Sequence, residues 1–202
     1  MNSNIIIRSL FPALYRVGKR DRVIYLTFDD GPSCASTREI LDVLDREAVK
    51  ATFFCIGKNV QRYPELYQAI IDAGHRVGNH TMNHANGFKF STKKYLKSIS
   101  DASKLVTSNL FRPPYGRIKP WQIRAVRKLG YKVVMWDVIA WDWDSKLTPD
   151  EVLSIIKRDT RNGSIIVLHD SAKAAPRTLK ILEESIVWLK SEGYRFEVIS
   201  ED

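Results

Sequence analysis

Short apolar runs alternate with longer amphipathic segments along the chain from residue 23 onward. The runs IYLTF, KVVMW and SIIVL are apolar on nearly every residue, which is typical of strands buried on both faces of a sheet. We predict strands at 23–28, 51–56, 110–112, 131–136, 164–168 and 194–199, and residues 76–79 lead into a turn that carries histidines. We predict helices at 37–48, 60–73, 92–109, 120–130, 149–159 and 176–190.

Strands that alternate with helices in this way favour a parallel sheet, since each helical crossover returns the chain in the same direction. The pattern gives about seven β/α units, and the unusual polar residues follow the carboxyl ends of different strands. In a barrel those ends converge on one mouth, where active sites lie. We therefore predict an α/β fold, a distorted (β/α) barrel of about seven parallel strands, rather than an open doubly wound sheet.

The length of 202 residues suits one domain with a substantial core. We assign residues 23–202 to this domain and residues 1–22 to an N-terminal extension. The extension mixes apolar and basic residues, so residues 4–20 can either pack on the barrel or associate weakly with a membrane surface. Its apolar run is shorter than a signal-peptide core or a membrane span, from which we expect a cytoplasmic protein.

The chain is strongly basic, with 32 Lys and Arg against 23 Asp and Glu and a net charge of +9. Such a surplus suits an anionic glycan, a lipid-linked sugar or a membrane surface, and equally a basic soluble surface without such a partner. Basic runs interleaved with aromatic residues are absent from the sequence, so we predict no nucleic-acid partner, and no pattern indicates a protein partner.

The sequence TFDDGP places Asp29 and Asp30 side by side directly after an apolar strand. Two adjacent carboxylates repel each other and are costly in such a place unless a cation lies near them. Since neighbouring residues of a strand point to opposite faces, both can address one site only where the strand turns, at Gly31-Pro32. The motif indicates a cation site, although a simple turn with a helix cap has a similar composition.

The sequence HTMNH places His80 and His84 four residues apart, so that on one helical turn they face the same way. Thr81 stands where HExxH proteases carry their glutamate base, so a base must come from elsewhere. One carboxylate of the Asp29-Asp30 pair completes a metal set with a position open for water. The other carboxylate can then take the proton of that water.

Arg112 opens the sequence RPPYG and can pair with an aspartate, which holds the carboxylate in its ionised form. The two prolines stiffen the loop, so the backbone N–H of Tyr115 can act as a preorganised oxyanion donor. A rigid structural loop has the same composition, and this motif alone does not decide between the two.

Trp136, Trp141 and Trp143 lie close together in the sequence, and tryptophan faces suit the apolar faces of pyranose rings. We expect Trp136 in the core and the others beside a sugar. The sequence VLHD puts His169 at a strand end, where it can act as a general acid, since an amine leaves poorly unless it is protonated. Asp142 is a candidate to orient His169 and keep it charged.

These five clusters occur in the order found in the polysaccharide deacetylase family (carbohydrate esterase family 4, NodB homology), which the chain resembles from about residue 24 to residue 199. The resemblance implies a distorted barrel and one divalent metal ion, usually zinc, with cobalt or nickel as alternatives. It implies Asp29 as base, Asp30, His80 and His84 as metal ligands, His169 as acid, Arg112 and Asp142 as their partners, Tyr115 as oxyanion donor, and Pro32, Tyr115, Trp141, Trp143 and Leu168 as substrate contacts.

The chain departs from the family pattern in the fourth motif, which commonly has an aspartate three residues before its Asp-Trp pair. Ile139 occupies that position, and Asp137 is two residues away from it. Since the metal ligands and the base are unchanged, we expect activity. The departure concerns the contacts with substrate and the tuning of the acid.

We expect a metal-dependent hydrolase that removes acetyl groups from N-acetylglucosamine-type sugars in chitooligosaccharide, peptidoglycan or lipid-linked glycan. O-deacetylation of acetylated xylan is an alternative, because the same groups can hydrolyse an ester. A catalytically silent, metal-dependent carbohydrate-binding protein is a further alternative. Asp29 and His169 would have no task in a binding protein, which favours an enzyme.

Overall fold

One curved sheet runs through the structure, a computed structural model that describes residues 13–18 and 21–200. Its eight strands are β1 (Val23–Asp29), β2 (Thr52–Cys55), β3 (Arg76–Asn79), β4 (Leu110–Phe111), β5 (Lys132–Val133), β6 (Val138–Ile139), β7 (Ile165–His169) and β8 (Arg195–Phe196). The helices between them are α1 (Thr37–Arg46), α2 (Gly57–Arg62), α3 (Pro64–Asp72), α4 (Thr92–Ala102), α5 (Pro120–Lys128), α6 (Pro149–Asp159) and α7 (Ala175–Ser191).

All strand pairs are parallel, and seven strands follow the order β5-β4-β3-β2-β1-β7-β6, while β8 pairs with the beginning of β1. Within residues 13–18 and 21–200, β5 and β6 form no ladder with each other, so the sheet is a half-barrel that is open between them. The predicted α/β fold, a distorted barrel of about seven parallel strands, is confirmed. Its parallel order brings the carboxyl ends of the strands to one edge.

The described part of the N-terminal segment is hydrogen-bonded to the chain next to two strands, β5 and β7. Leu14 forms a parallel bridge with Val134 directly after β5, and the N–H of Val17 donates to the carbonyl of Gly163 at 2.9 Å, just before β7. Gly163 has a φ of +76°, and a Cβ there would collide with the main chain of Val17. Glycine therefore permits the segment to lie this close.

The predicted membrane contact of residues 4–20 falls largely on residues 4–12 and 19–20, which lie outside the described residues. Among the residues that are described, no helix has the length and apolar character needed to cross a bilayer.

The largest core lies between the sheet and its helices. Phe28 of β1 and Phe53 of β2 are fully buried there, and their rings stack with centroids 4.9 Å apart. Ile40 of α1, Val152 of α6 and Leu182 of α7 close the same cluster and are also fully buried. Burying each such side chain contributes about 1.5–3 kcal/mol, so these contacts fix the strand ends on which the polar clusters lie.

Several predicted elements differ in the structure. The predicted helix at 92–109 ends at Ala102, and the predicted strand at 194–199 is reduced to Arg195–Phe196. Two further differences have identifiable reasons. The predicted helix at 60–73 is divided into α2 and α3 at Tyr63, whose φ of −131° and ψ of 60° are not helical. Pro64 explains the break, because proline disfavours a helical conformation in the residue before it. The predicted strand at 131–136 ends at Val133, and the following residues bond partly to the N-terminal segment, where the N–H of Met135 donates to the carbonyl of Leu14.

We expect Phe28→Ala to lower the free energy of unfolding by about 3–5 kcal/mol, since it removes a buried ring that the surrounding core cannot replace. Urea denaturation followed by circular dichroism measures the loss. Phe88→Ala removes the same ring at a position that is 54% exposed, and we expect it to cost less than about 1 kcal/mol. Equal losses in the two variants would contradict this placement of the core.

Candidate metal and catalytic site

The polar clusters of the sequence meet at the carboxyl edge of the sheet. Asp29, the last residue of β1, is in register with His169, the last residue of β7. On the other side, Asn79 at the end of β3 is in register with Phe111 at the end of β4, so the histidine turn after Asn79 lies beside the loop that begins at Arg112. Five segments that are far apart in sequence thereby converge on one site.

Asp30, His80 and His84 form the only group within the described residues that could hold a metal ion, with their ligand atoms all within 4.8 Å of one another. Oδ1 of Asp30 lies 3.2 Å from Nε2 of His84 and 3.6 Å from Nε2 of His80. A carboxylate and two imidazoles are a donor set typical of a catalytic divalent metal, and leave at least one position open.

The predicted helical turn at residues 80–84 is wrong. Thr81 and His84 have positive φ values of 67° and 54°, and the segment forms a tight turn instead. Side chains hold this turn in place: Oδ1 of Asn79 accepts from the N–H of Thr81 at 2.8 Å, and Oγ1 of Thr81 accepts from the N–H of Ala85 at 2.8 Å. The two imidazoles still converge, because the turn rotates His84 back towards His80.

Hydrogen bonding and burial prepare His80 to be a ligand. Its Nδ1 lies 2.8 Å from the carbonyl oxygen of Arg112, so Nδ1 carries the proton and donates, and Nε2 presents its lone pair to the site. Burial lowers the pKa of His80 to about 4, so its imidazole is neutral at pH 7. Metal ligation requires this neutral form.

Asp30 supplies the observation that tests whether a metal ion fits. Its Oδ1 is buried and has no hydrogen-bond partner among the described residues, although such an oxygen is costly to desolvate alone. Burial would raise the pKa of Asp30, but the neighbouring imidazoles of His84 and His80 outweigh it and lower the pKa to about 2. An ionised oxygen that faces two imidazole nitrogens at 3.2 and 3.6 Å, without a well-aligned hydrogen bond to either, fits a divalent cation.

Asp29 lies beside this set and has a different environment from Asp30. It is 4% exposed, and its Oδ1 accepts from Nη1 of Arg112 at 2.7 Å. Its Oδ2 accepts no hydrogen bond from any residue that the structure describes, which leaves one oxygen available for a proton. The two adjacent carboxylates thus have different partners: Asp30 faces the two imidazoles, and Asp29 faces the guanidinium of Arg112.

Arg112 is completely buried, and neighbours satisfy its donors on every side. Nη1 also donates to Oγ1 of Thr27 at 2.7 Å, and Nη2 donates to the carbonyl of Met135 at 2.9 Å. The guanidinium lies 4.1 Å from the ring centre of Phe54. Burial lowers the pKa of Arg112 while Asp29 raises it in part, and arginine nevertheless remains charged in proteins.

His169 and Asp142 form a second ion pair, in which Asp142 is fully buried and His169 is partly buried. Oδ1 of Asp142 lies 2.8 Å from Nδ1 of His169, and Oδ2 accepts from the N–H of His169 at 2.7 Å and from the hydroxyl of Thr178 at 2.6 Å. Burial would lower the pKa of His169, but the Asp142 carboxylate outweighs it and raises the pKa to about 9. The imidazole therefore carries a proton at neutral pH.

Aromatic side chains flank the site on two sides. The ring of Tyr115 is 61% exposed and lies 4.3 Å from that of His84, centroid to centroid. Beside the proposed acid, the ring of Trp143 lies 4.4 Å from that of His169, centroid to centroid, and the ring of Trp141 lies 5.1 Å from that of Trp143 and is 45% exposed. These rings border the opening that leads to the metal set.

The remaining predicted substrate contacts, Pro32 and Leu168, are buried. Leu168 belongs to the main core cluster, one residue before His169. The structure thus brings the predicted metal set, the two ion pairs and the aromatic residues together, and it gives these two side chains positions beneath the surface.

Asp170 lies beside the site although the sequence assigned it no role. Its carboxylate accepts from the hydroxyls of Ser36 and Thr37 at 2.7 and 2.5 Å, and its N–H donates to the carbonyl of Asp29 at 2.8 Å. Burial raises the pKa of Asp170 to about 6. The residue links the end of β1 to the beginning of α1, and the VLHD motif was its only sequence signal.

Asp137 does not replace the aspartate that the family carries at the position of Ile139. Its carboxylate pairs with Nε and Nη2 of Arg161 at 3.0 and 2.7 Å. Its N–H bonds to the carbonyl of Ile165 at the beginning of β7, at the opposite end of that strand from His169. Asp137 therefore holds a structural ion pair away from the site.

Comparison with known proteins gives the family of the chain. A family model described as polysaccharide deacetylase matches residues 16–134. A peptidoglycan-N-acetylglucosamine deacetylase of Bacillus cereus is 34% identical over 196 residues, which cover 93% of this chain and 91% of the relative. The residues matched by the family model include the DDGP, HTMNH and RPPYG clusters.

Solved structures show the same architecture. A peptidoglycan N-acetylglucosamine deacetylase crystallised with 4-naphthalen-1-yl-N-oxidanyl-benzamide superposes with a TM-score of 0.90 at 28% identity, covering 98% of this chain and 95% of the other. A family 4 carbohydrate esterase pseudoenzyme from Bacillus anthracis superposes with a TM-score of 0.83 at 26% identity, covering 93% and 67%. The family predicted from the sequence is confirmed, and the chain belongs to the polysaccharide deacetylases.

Proposed function

We propose that this protein is a metal-dependent deacetylase that hydrolyses the acetamide group of N-acetylglucosamine-type sugars. The observation that carries the proposal is the arrangement of three groups at one opening: the metal set of Asp30, His80 and His84, the unpaired oxygen of Asp29, and the protonated His169. A base, an acid and a metal set are what amide hydrolysis requires.

Zinc is the proposed ion, because a set of two imidazoles and one carboxylate with an open position suits it, while cobalt and nickel accept similar ligands. When bound, the ion supplies electrophilic stabilisation of the acetyl oxygen and lowers the pKa of a water molecule. The neutral His80 and the ionised Asp30 are in the protonation states that such an ion needs.

Asp29 is proposed as the general base. Arg112 occupies Oδ1 and fixes the plane of the carboxylate, so Oδ2 is the oxygen that accepts the proton of the attacking water. Its main-chain carbonyl is also held, by the N–H of Asp170. Arg112 is a positioning residue here, since it acts on Asp29 and is itself fully buried.

His169 is proposed as the general acid. The C–N bond of the tetrahedral intermediate breaks when the leaving nitrogen receives a proton, and Nε2 of His169 can donate one because Asp142 holds Nδ1. Acetate and a free amine on the sugar are the products. The backbone N–H of Tyr115 is proposed to stabilise the negative charge on the acetyl oxygen during this step.

The substrate proposed is an N-acetylated glycan of the peptidoglycan or chitooligosaccharide type. Support comes from the B. cereus and crystallised relatives, which are named as peptidoglycan-N-acetylglucosamine deacetylases. Trp141, Trp143 and the exposed ring of Tyr115 give flat apolar faces on two sides of the opening, and pyranose rings stack on such faces.

A silent carbohydrate-binding protein is a second candidate, because one solved structure with this fold is described as a pseudoenzyme. The presence of Asp29, Asp30, His80, His84 and His169 in one place favours the enzyme.

We expect the zinc-loaded protein to release acetate from an N-acetylglucosamine tetramer. Removal of zinc by a chelator should abolish the release, and Asp29→Asn should lower kcat by about 10²–10⁴-fold because the general base is lost. Acetate measured in an enzyme-coupled assay gives the rate, and circular dichroism checks that each sample is folded.

Asp72→Asn is the matched control, since it makes the same chemical change at an exposed carboxylate at the end of α3. Its rate should equal that of the unchanged protein. Acetate released from acetylated xylan but not from the tetramer would support the ester alternative, and release from neither would overturn the proposed activity in favour of binding alone.

The rate should depend on the protonation of His169. Its pKa of about 9 means that the protonated acid is present below that pH and is lost as the pH rises through it, so kcat should fall above about pH 9. Asp142→Asn removes the carboxylate that raises this pKa, and the fall should move to lower pH.

A profile of kcat between about pH 6 and pH 10 measures this shift, with Asp144→Asn as a control that keeps Asp142 intact. If kcat falls at the same pH in Asp142→Asn and in Asp144→Asn, His169 is not the group whose deprotonation lowers the rate.

A further inference from the structure

A groove of about 490 Å³ leads away from the metal set on the side of Tyr115. Its lining consists of His84, Asn86, Lys89, Phe90, Tyr115 and Arg117. Since His84 belongs both to this groove and to the metal set, the groove opens directly onto the site. A glycan that places one sugar at the metal set can therefore place a neighbouring sugar here.

Two loops that are bonded to each other form this groove. The N–H of Gly87 donates to the carbonyl of Arg117 at 3.0 Å, and Nε2 of Gln122 donates to the carbonyl of Gly87 at 3.0 Å. A Cβ on Gly87 would lie 2.5 Å from the carbonyl oxygen of Arg117, so only glycine permits this approach. Lys89 and Arg117 are thus carried by loops whose main chains hold each other in place.

Lys89 and Arg117 are both exposed, and neither side chain has an ion-pair or hydrogen-bond partner within residues 13–18 and 21–200. Several cations elsewhere are paired, as Arg161 is with Asp137. The described lining of the groove includes no carboxylate. Two unpaired cations without a neighbouring acid make a site that attracts an anion.

Exposed aromatic rings on and near these loops suit a sugar chain. Phe88, next to Lys89 in the chain, is 54% exposed, and Trp121, in the first turn of α5, is 59% exposed, in addition to Tyr115 in the groove lining. Pyranose rings stack on such faces, while a carboxylate can be held by the planar fork of an arginine. Aromatic and cationic side chains together indicate a glycan that bears a negative charge.

We propose that Lys89 and Arg117 form a subsite that selects N-acetylated glycans with a carboxylate on the sugar next to the one that is deacetylated. This inference rests on the proposed function and deepens it. It assigns a role to two of the basic residues of the chain, and it makes charge recognition separate from the metal set and from the acid and base.

The test compares two forms of one substrate: peptide-free glycan strands in which alternate sugars carry ether-linked carboxylates, and the same strands with those carboxylates converted to methylamides. The unchanged protein should deacetylate the carboxylated form with the higher kcat/KM. In Lys89→Gln/Arg117→Gln this preference should fall about tenfold, the size expected for two largely exposed ion pairs. The kcat/KM for a neutral N-acetylglucosamine tetramer should change less than about twofold.

Arg127→Gln/Lys180→Gln is the matched control, since it removes the same two charges at exposed positions of α5 and α7. It should keep the preference, and added salt should weaken the preference only where the groove cations are present. Equal kcat/KM for both strands in the unchanged protein, or a preference that survives in the groove variant, would overturn the subsite.

Failure of the proposed function has a separate signature. If the protein releases acetate from none of these glycans, calorimetric titration with the carboxylated and amidated strands still measures the preference. Tighter binding of the carboxylated form, lost in the groove variant and kept in the control, supports the subsite. Equal binding of both forms overturns it.

Discussion

The buried pair of Arg112 and Asp29 is the interaction on which the site depends. A fully buried guanidinium is tolerated only when its charge and its donors are satisfied, and here Asp29, Thr27 and two main-chain carbonyls satisfy them. These partners belong to β1 and to the segment after β5, so the pair joins distant parts of the sheet edge. Removing one partner of such a pair typically costs about 3–5 kcal/mol.

This pair also explains how two neighbouring aspartates acquire different chemistry. Asp29 faces a permanent cation that occupies one of its oxygens, and Asp30 faces two imidazoles and has an oxygen with no hydrogen-bond partner among the described residues. The first environment suits a carboxylate that accepts a proton, and the second suits a metal ligand. His169 is the opposite case, since Asp142 raises its pKa and keeps it charged. The proposed base Asp29, the proposed ligand Asp30 and the proposed acid His169 thus differ in chemistry because each has different neighbours at the same opening.

The sequence predicted the fold class and brought the right residues to one site because periodicity and motif spacing are local signals. It did not predict the turn at His80 and His84, since positive φ values at threonine and histidine depend on bonds to Asn79 and other neighbours. Nor could it predict the groove, because Lys89 and Arg117 are far apart in the chain and only the bond between their loops makes them neighbours. The break before Pro64 could have been predicted, because proline disfavours a helical conformation in the residue before it. The helical spacing of apolar residues on both sides of Pro64 instead led to the prediction of one continuous helix.

The division of roles between Asp29 and Asp30 is tested most directly by a crystal structure of the zinc-loaded protein, with data collected on both sides of the zinc absorption edge. We predict one anomalous peak about 2.0–2.2 Å from Asp30, His80 and His84, with Asp29 outside the ligand set and still bonded to Arg112. A peak in which Asp29 is a ligand, or zinc bound at other residues, would contradict the account.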